Sequence, residues 1–420
     1  MNRWLVVLGA ILIQLALGAI YAWSVFTPSL RAEGWTATET QYVFAAGLVV
    51  FAVVMVIAGR IMPKVGPRAL AIAGGLVLGL GYAAAGLMET TAFWPILITI
   101  GIIGGAGIGL AYVVPIAVGT EWFPDKKGLI MGLAVAGFGF GAMGWVKLAG
   151  AWGHLIDTIG LHDTFLVYGI AFAVMVVLGG MFMVHPPKGW KPEGWDPPEP
   201  KLARAGGGGL NFTSLEMLRT HQFYMVFLCF VAGGGAGLMS IGLMKLYPMQ
   251  ALMESGYDKA AASSIAGTAM AVFFSLGNGF GRIAWGALSD RLGRKRSMIV
   301  MLSTQGLLVL LFPYMAGSPW SLWIFAGLIG FNFGGNFSIF PSVTGDIFGN
   351  KFVGQNYPWI FLAYGVGGTL GPVMGGRLGD LGNFPMAFTI CGVAVLASAG
   401  VAVFIRPPKK VTSTTIAQPA

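Results

Sequence analysis

Long apolar runs separated by short polar breaks fill almost the whole chain, and the length of the runs decides how they are read. A helix crossing the hydrocarbon core of a bilayer needs about 20 apolar residues. Twelve stretches supply that: 4–26, 40–62, 69–88, 93–120, 128–152, 165–184, 222–248, 261–288, 297–316, 320–343, 355–376 and 386–405. The longest polar interval, 185–221, divides them six and six. The pattern predicts an all-α membrane protein of twelve transmembrane helices, with halves at 1–184 and 222–405, a linker at 185–221 and a tail at 406–420. The first run, Trp4 to Phe26, is too long for a signal-peptide core and has no small-x-small cleavage site, so it reads as a retained span.

Composition agrees with that solvent. The 420 residues are 56% hydrophobic and 10% charged, with a mean hydropathy of +0.77. Glycine accounts for 66 residues without a G-X-Y period, which excludes collagen and assigns the small residues to helix contact. Cys229 and Cys391 sit far apart in apolar stretches, with neither a disulfide framework nor zinc spacing.

A net charge of +9 would point to nucleic acid in a soluble protein, but here it follows membrane topology. With both termini and the central interval on the cytoplasmic side, 18 of the 25 Lys and Arg fall in cytoplasmic segments, including Lys64, Arg68, Lys126, Lys127, Lys295, Arg296, Lys409 and Lys410. Only Arg31, Lys259 and Arg377 fall in the opposite loops. That asymmetry places N and C termini in the cytoplasm and leaves no role for nucleic acid. The linker mixes Pro-stiffened chain (His185-Pro-Pro-Lys, Trp195-Asp-Pro-Pro-Glu-Pro) with four glycines at 206–209, and ends in a capping box, Thr213-Ser-Leu-Glu216.

The halves repeat. Gly101, Gly104 and Pro115 recur as Gly327, Gly330 and Pro341 at a shift of 226. Glu121, Phe123 and Lys126 recur as Asp346, Phe348 and Lys351 at 225, and Gly59 and Gly66 recur as Gly286 and Gly293 at 227. Ordered matches at nearly one offset indicate duplication, and in carriers built this way the substrate site lies between the repeats.

Four basic residues remain in or beside the spans: Arg60, Lys147, Lys245 and Arg282. The first three lie near span ends, where reaching out to the interface is the ordinary reading. Arg282 lies about 20 residues into its span, where a central Arg costs about 2.5–3.5 kcal/mol on insertion scales. No Asp or Glu remains in a span core to neutralise it. An anionic substrate would, since a guanidinium grips a carboxylate through two parallel bonds; backbone carbonyls or the nearby interface are the other options. Asn278, one turn earlier, shares its helix face and either donates to substrate or joins helices.

Between the eighth and ninth spans stands Gly286-Ala-Leu-Ser-Asp290-Arg-Leu-Gly293-Arg294-Lys295-Arg296, which resembles the signature loop of the major facilitator superfamily. There Gly286 is expected to let helices approach and Asp290 to cap a helix or pair across the cytoplasmic face. The first-half copy departs from the pattern, with Pro63 where an Asp is expected. Tyr21-Ala-Trp-Ser-Val-Phe26, together with Glu121-Trp-Phe-Pro-Asp-Lys-Lys-Gly128 and the glycine-rich Gly132 to Gly141, resembles the oxalate/formate antiporter branch and, within it, bacterial monocarboxylate transporters. The resemblance implies a bacterial inner membrane, a monomer without cofactor or metal, and Arg282 as carboxylate anchor. It also implies a mostly aromatic wall of Tyr21, Tyr112, Phe333, Phe337, Phe361 and Tyr364, any of which is by itself an ordinary packing residue. In the oxalate exchanger a second cation, a Lys, stands at the position of Tyr364, so one central cation argues for one carboxylate.

The expectation is therefore an alternating-access carrier of a small monocarboxylate such as lactate, coupled to protons taken up by the substrate or by a rim acid such as Asp258 or Glu121. The alternatives are an oxalate/formate-type exchanger and a carboxylate sensor that does not transport. An enzyme is not expected, since the four His lie in loops or at membrane edges and no catalytic or metal spacing occurs.

Overall fold

A computed structural model of the chain describes residues 2–88, 92–123, 127–150, 152–187, 189–192, 194, 211–349 and 352–408. A helix covers each predicted stretch: α1 (Arg3–Ala32), α2 (Ala37–Val65), α3 (Pro67–Leu87), α4 (Phe93–Gly119), α5 (Lys127–Ala149), α6 (Leu155–Met181), α7 (His221–Leu243), α8 (Lys259–Leu292), α9 (Arg294–Met315), α10 (Pro319–Phe348), α11 (Val353–Asp380) and α12 (Phe384–Phe404). Among the described residues, ten are long and apolar enough to cross a membrane, all but α5 and α11. Their outer faces carry apolar stripes at helical spacing, such as Ile170, Val174 and Leu178 on α6 and Leu76 and Leu80 on α3, all exposed. Those stripes are stable against lipid and not against water, which makes the chain an all-α, multi-spanning membrane protein.

Several helices are not uniform. The middle of α1 tightens into a 3-10 segment, Gly18–Val25, with every residue buried. Single π-type stretches interrupt α4 at Leu97–Gly104 and α8 at Ala269–Phe274, the second ending about one turn before Asn278. Such insertions rotate the helix that follows and re-aim its side chains. Gly66 between α2 and α3 and Gly293 between α8 and α9 adopt the same conformation, φ 89° and 87° with ψ 150° and 142°, which only glycine takes without strain. The sequence had paired these two residues at a shift of 227.

Packing partners recur six helices apart. α3 lies along α6, and α9 along α12; α2 packs on α4, and α8 on α10; α1 packs on α5, and α7 on α11. α2 with α11 and α5 with α8 join the first six helices to the last six. The capping box at Thr213 and Glu216 is present and starts a short helix, Ser214–Leu218. This segment docks through Phe212 N–H on the Phe348 carbonyl (2.9 Å) and through Asn356 Nδ2 on the Phe212 carbonyl (2.9 Å). The linker residues 195–200 and 206–209, and Lys126, Lys351, Lys409 and Lys410, lie outside the described residues.

Candidate functional site

Arg282 emerges from α8 into the middle of the bundle and is 3% exposed. Small residues allow this. A Cβ on Gly334 of α10 would stand 2.2 Å from the Asn278 carbonyl oxygen and 3.1 Å from the Arg282 nitrogen, so α10 presses directly on the backbone of α8 at this level. On the other side, a Cβ on Gly139 of α5 would stand 3.0 Å from Gly279. Arg282 is thus held where α5, α8 and α10 meet.

The guanidinium is only partly satisfied. Its Nε donates to Asn278 Oδ1 at 3.1 Å. Its Cζ lies 4.0 Å from the centre of the Phe337 ring and 5.8 Å from that of Phe138, within cation–π range. Both terminal nitrogens and Asn278 Nδ2 are buried and make no hydrogen bond of regular geometry among the described residues, with the Tyr21 and Tyr112 hydroxyls close enough to interact with the guanidinium. Buried donors left unpaired are costly, and here three of them belong to two side chains on one face of one helix. That is a donor set ready for an oxygen anion. The interface and backbone-carbonyl options for Arg282 do not match this placement.

The aromatic residues named from sequence come together around it. The hydroxyls of Tyr21 and Tyr364 are 3.0 Å apart, which joins α1 to α11. Ring centres run from Tyr21 to Phe333 (5.7 Å), Phe333 to Phe337 (5.2 Å), Phe337 to Tyr364 (5.5 Å) and Tyr364 to Phe361 (5.0 Å), with Tyr112 stacked 6.2 Å from Phe361. Sequence reasoning missed three members. Phe138 touches Tyr21 (5.1 Å) and Tyr112 (5.2 Å), Phe51 touches Tyr112 (5.0 Å), and Phe230 lies 6.2 Å from Phe337. Phe138 had a signal, since it interrupts the glycines of α5 that let α5 approach α1 and α8. Phe51 and Phe230 lie in uninterrupted apolar sequence and had none.

The signature loop differs from expectation in two respects. Asp290 pairs with Arg294 four residues on, and Arg294 also donates to Ser289, so among the described residues the acid is paired within its own turn. Gly286 is not a tight approach: a Cβ there would meet Ser338 at 3.6 Å, an ordinary contact, while the Gly286 carbonyl accepts from Ser289. The span-end cations also divide. Arg60 is exposed over Trp359 (5.6 Å), as expected, whereas Lys147 and Lys245 are 6% and 9% exposed and turn inward.

At the end opposite the Gly66 and Gly293 turns, polar links tie α1 and α2 to α7 and α11. Asp380 pairs with Arg31 (3.0 Å) and accepts from the Ala37 amide (2.6 Å), the Thr38 amide (2.9 Å) and the Thr38 hydroxyl. Arg377 donates to the Tyr42 hydroxyl (3.0 Å) and Gln41 to the Gly242 carbonyl (3.3 Å). Partial burial pushes the Asp380 carboxyl up, but the Thr38 and Ala37 bonds and Arg31 more than offset it and hold it below its ordinary value. The rim acids named for proton uptake are occupied: Glu121 bonds His185 at 2.6 Å, and Asp258 caps α8 through the Ala261 amide at 2.9 Å.

The buried, half-satisfied cation lies where helices of the first six meet helices of the last six, and comparison with known proteins shows the family. The description of the Major Facilitator Superfamily matches residues 6–273 and, a second time, 237–419. The chain belongs to the major facilitator superfamily. As a member it is a secondary transporter and not an enzyme. The carrier is similar to YhjX of Escherichia coli (strain K12), described as an uncharacterised MFS-type transporter, with 28% identity over 87% of this chain and 86% of that one. It is 25% identical to the oxalate:formate antiporter of Oxalobacter formigenes over 97% of this chain and 92% of that one. To monocarboxylate transporter 13 of Rattus norvegicus it is also 25% identical, over 95% and 87%.

Proposed function

We propose that the carrier exchanges small organic anions across the membrane, with Arg282 and Asn278 holding the carboxylate. The observation that carries this is the trio of unpaired donors, two on Arg282 and one on Asn278, inside an aromatic wall. Two parallel bonds from the guanidinium and one from the amide would satisfy all three on a single carboxylate. Tyr21, Tyr112, Phe333, Phe337, Phe361 and Tyr364 enclose what remains, which favours an acid with a small, partly apolar body. In this reading all twelve helices cross the membrane as two six-helix halves, 1–184 and 222–405. The Gly66 and Gly293 turns and both termini face the cytoplasm, supported by the recurrence of packing pairs and by the basic turns. The linker and tail lie on that side too, in a cytoplasmic membrane of bacterial type.

Exchange, first framed as the alternative to proton-coupled lactate uptake, is the better supported coupling. A symporter must return empty, and an empty site here would carry a bare guanidinium through low dielectric. None of the described span cores offers a carboxylate to neutralise it on the way, and the rim acids already have partners. An exchanger never makes that journey unloaded. The likeness to an oxalate:formate antiporter over nearly the whole chain points the same way. Monocarboxylate symport remains the second reading, carried by the absence of a second cation at Tyr364 and by the likeness to a monocarboxylate transporter.

The test is uptake of labelled formate, L-lactate and oxalate into proteoliposomes, with and without internal acid, under an imposed inward proton gradient. Exchange requires an internal anion and ignores the gradient. Accumulation into acid-free vesicles driven by the gradient overturns it in favour of symport. Purified protein that binds these acids but moves none of them is a sensor.

A further inference from the structure

At the end of the bundle read here as outer, a cleft of about 740 Å³ opens between the two sets of helices. Its lining includes Lys147 of α5, Lys245 in the break after α7, and Lys259 and Ser263 at the start of α8, with His154 and Asp157 at its edge. Lys147 and Lys245 both sit where a long side chain could reach the membrane surface, yet they are 6% and 9% exposed. Lys147 Nζ donates to Thr268 Oγ1 (2.7 Å) and lies 5.8 Å from the Trp152 ring centre. Lys245 Nζ donates to Ser263 Oγ (2.8 Å) and to the Ser263 carbonyl, and it would stand 3.2 Å from a Cβ on Gly267. Gly267 and Thr268 are adjacent, so one turn of α8 holds two ammonium groups brought from opposite halves.

None of the three lysines makes an ion pair among the described residues. The carboxylate in the lining, Asp157, is 75% exposed and faces His154 at 3.5 Å. Three cations against one exposed acid leave the cleft positive, and its low-dielectric walls concentrate that field. Holding two like charges together under cover is unfavourable in the empty protein, and an anion between them would offset that cost. Each ammonium has three donors, of which Lys147 uses one on Thr268. Nine residues separate Lys147 from Phe138, about 14 Å of helix rise, so this cleft lies well outside the Arg282 cluster.

We propose that Lys147 and Lys245 form a second, outer anion site, which receives a small carboxylate between the outside and Arg282. The proposal rests on the carrier reading for the identity of the ligand, but its residues and its test are separate. A carboxylate bridging the two ammonium groups offsets one of the two charges, relieves their mutual repulsion and leaves the Thr268 and Ser263 hydroxyls to orient it.

The test is isothermal titration calorimetry of the full-length chain in lipid nanodiscs with L-lactate, formate and oxalate at low ionic strength. Wild type binds two anions per chain, the weaker one weakened further by added salt. The double variant Lys147→Gln/Lys245→Gln binds one, losing the weaker site by more than about 10-fold in affinity. Lys147→Arg/Lys245→Arg restores the second, which a merely structural role for the lysine stems would not require. Arg282→Gln removes the other site and keeps the lysine-dependent one. One anion per chain, abolished by Arg282→Gln and indifferent to the lysines, overturns the outer site while the carrier reading stands. Binding that survives Arg282→Gln in full and vanishes with the lysines does the reverse, removing Arg282 as anchor.

Discussion

Replacing Arg282 with Met should weaken substrate binding and strengthen the empty protein at once. Met keeps the length of the stem and its packing beneath Phe337, and removes a charge whose two terminal nitrogens make no hydrogen bond of regular geometry among the described residues. Truncating one side of a buried, hydrogen-bonded charge pair costs about 2–5 kcal/mol, so carboxylate affinity should fall by about 30-fold to several thousand-fold. In the empty carrier the same change removes an uncompensated cation that costs about 2.5–3.5 kcal/mol at a span centre, less what Asn278 and the Phe337 face return. The variant should therefore melt at a higher temperature than wild type without substrate, and added substrate should raise the melting temperature of wild type more than that of the variant, which keeps only the lysine site. Arg282→Lys separates charge from geometry. It keeps the cation and loses the planar fork, for a loss of about 1.5–3 kcal/mol, or roughly 10- to 150-fold. The assays are calorimetric binding and thermal unfolding in the same nanodiscs. A Met variant that binds as wild type does, or that is destabilised when empty, would show that Arg282 holds the bundle together and not the anion.

Other sites give independent outcomes. Tyr364→Lys should admit a second carboxylate and raise oxalate affinity relative to lactate, and no change in that ratio in counterflow would remove the one-cation argument. Gly334→Ala forces a Cβ to within 2.2 Å of the Asn278 carbonyl and should destabilise by about 1–3 kcal/mol, whereas Gly286→Ala meets only Ser338 at 3.6 Å and should fall within about 0.5 kcal/mol of wild type; equal melting temperatures for the two would contradict the packing described. Asp380 is held below its ordinary value, so its contribution to the links between α11 and the start of α2 is complete above the ordinary carboxylate range and is lost as pH falls through its lowered value. The melting temperature should thus be flat from neutral to mildly acidic pH and fall only below that, while Asp380→Asn should melt lower than wild type at neutral pH.

The helices were legible because the solvent leaves little choice: a backbone in hydrocarbon must bond to itself, so apolar length converts into helix almost without context. Arg282 was legible for the same reason, as a cation where cations are expensive. The glycines that seat it were visible only as an excess. Nothing in the chain says that Gly334 meets Asn278 or that Gly139 meets Gly279, because those contacts depend on which helices become neighbours. Phe51 and Phe230 were hidden by their surroundings, being apolar residues in apolar runs. Lys147 and Lys245 were misread for a different reason. Position along a span gives depth but not azimuth, and a lysine near a helix end reaches the surface only if it faces lipid. Lys147 faces α8 of the other half, and Lys245 turns in onto Ser263 of α8 within its own half.

That azimuth bears on how the carrier works. The contacts that join the halves, α2 with α11 and α5 with α8, are the same helices that carry Phe51, Phe138, Phe361, Tyr364 and Arg282 in the centre and Lys147, Thr268 and Asp380 towards the outer end. Any rocking of the halves that opens the outer end must separate Asp380 from Thr38 and Lys147 from Thr268, and must loosen the Tyr21 to Tyr364 contact between α1 and α11. In the proposed reading a carboxylate bound at Arg282 would change the balance of that motion at the central site. Unloaded, Arg282 is stabilised by the ring faces of Phe337 and Phe138, from opposite halves, which favours keeping them together. Loaded, the charge is satisfied by the anion, and the halves no longer need to share it. In the proposed exchanger substrate would thus lower the cost of parting, and exchange demands that behaviour: movement in either direction only with an anion in place.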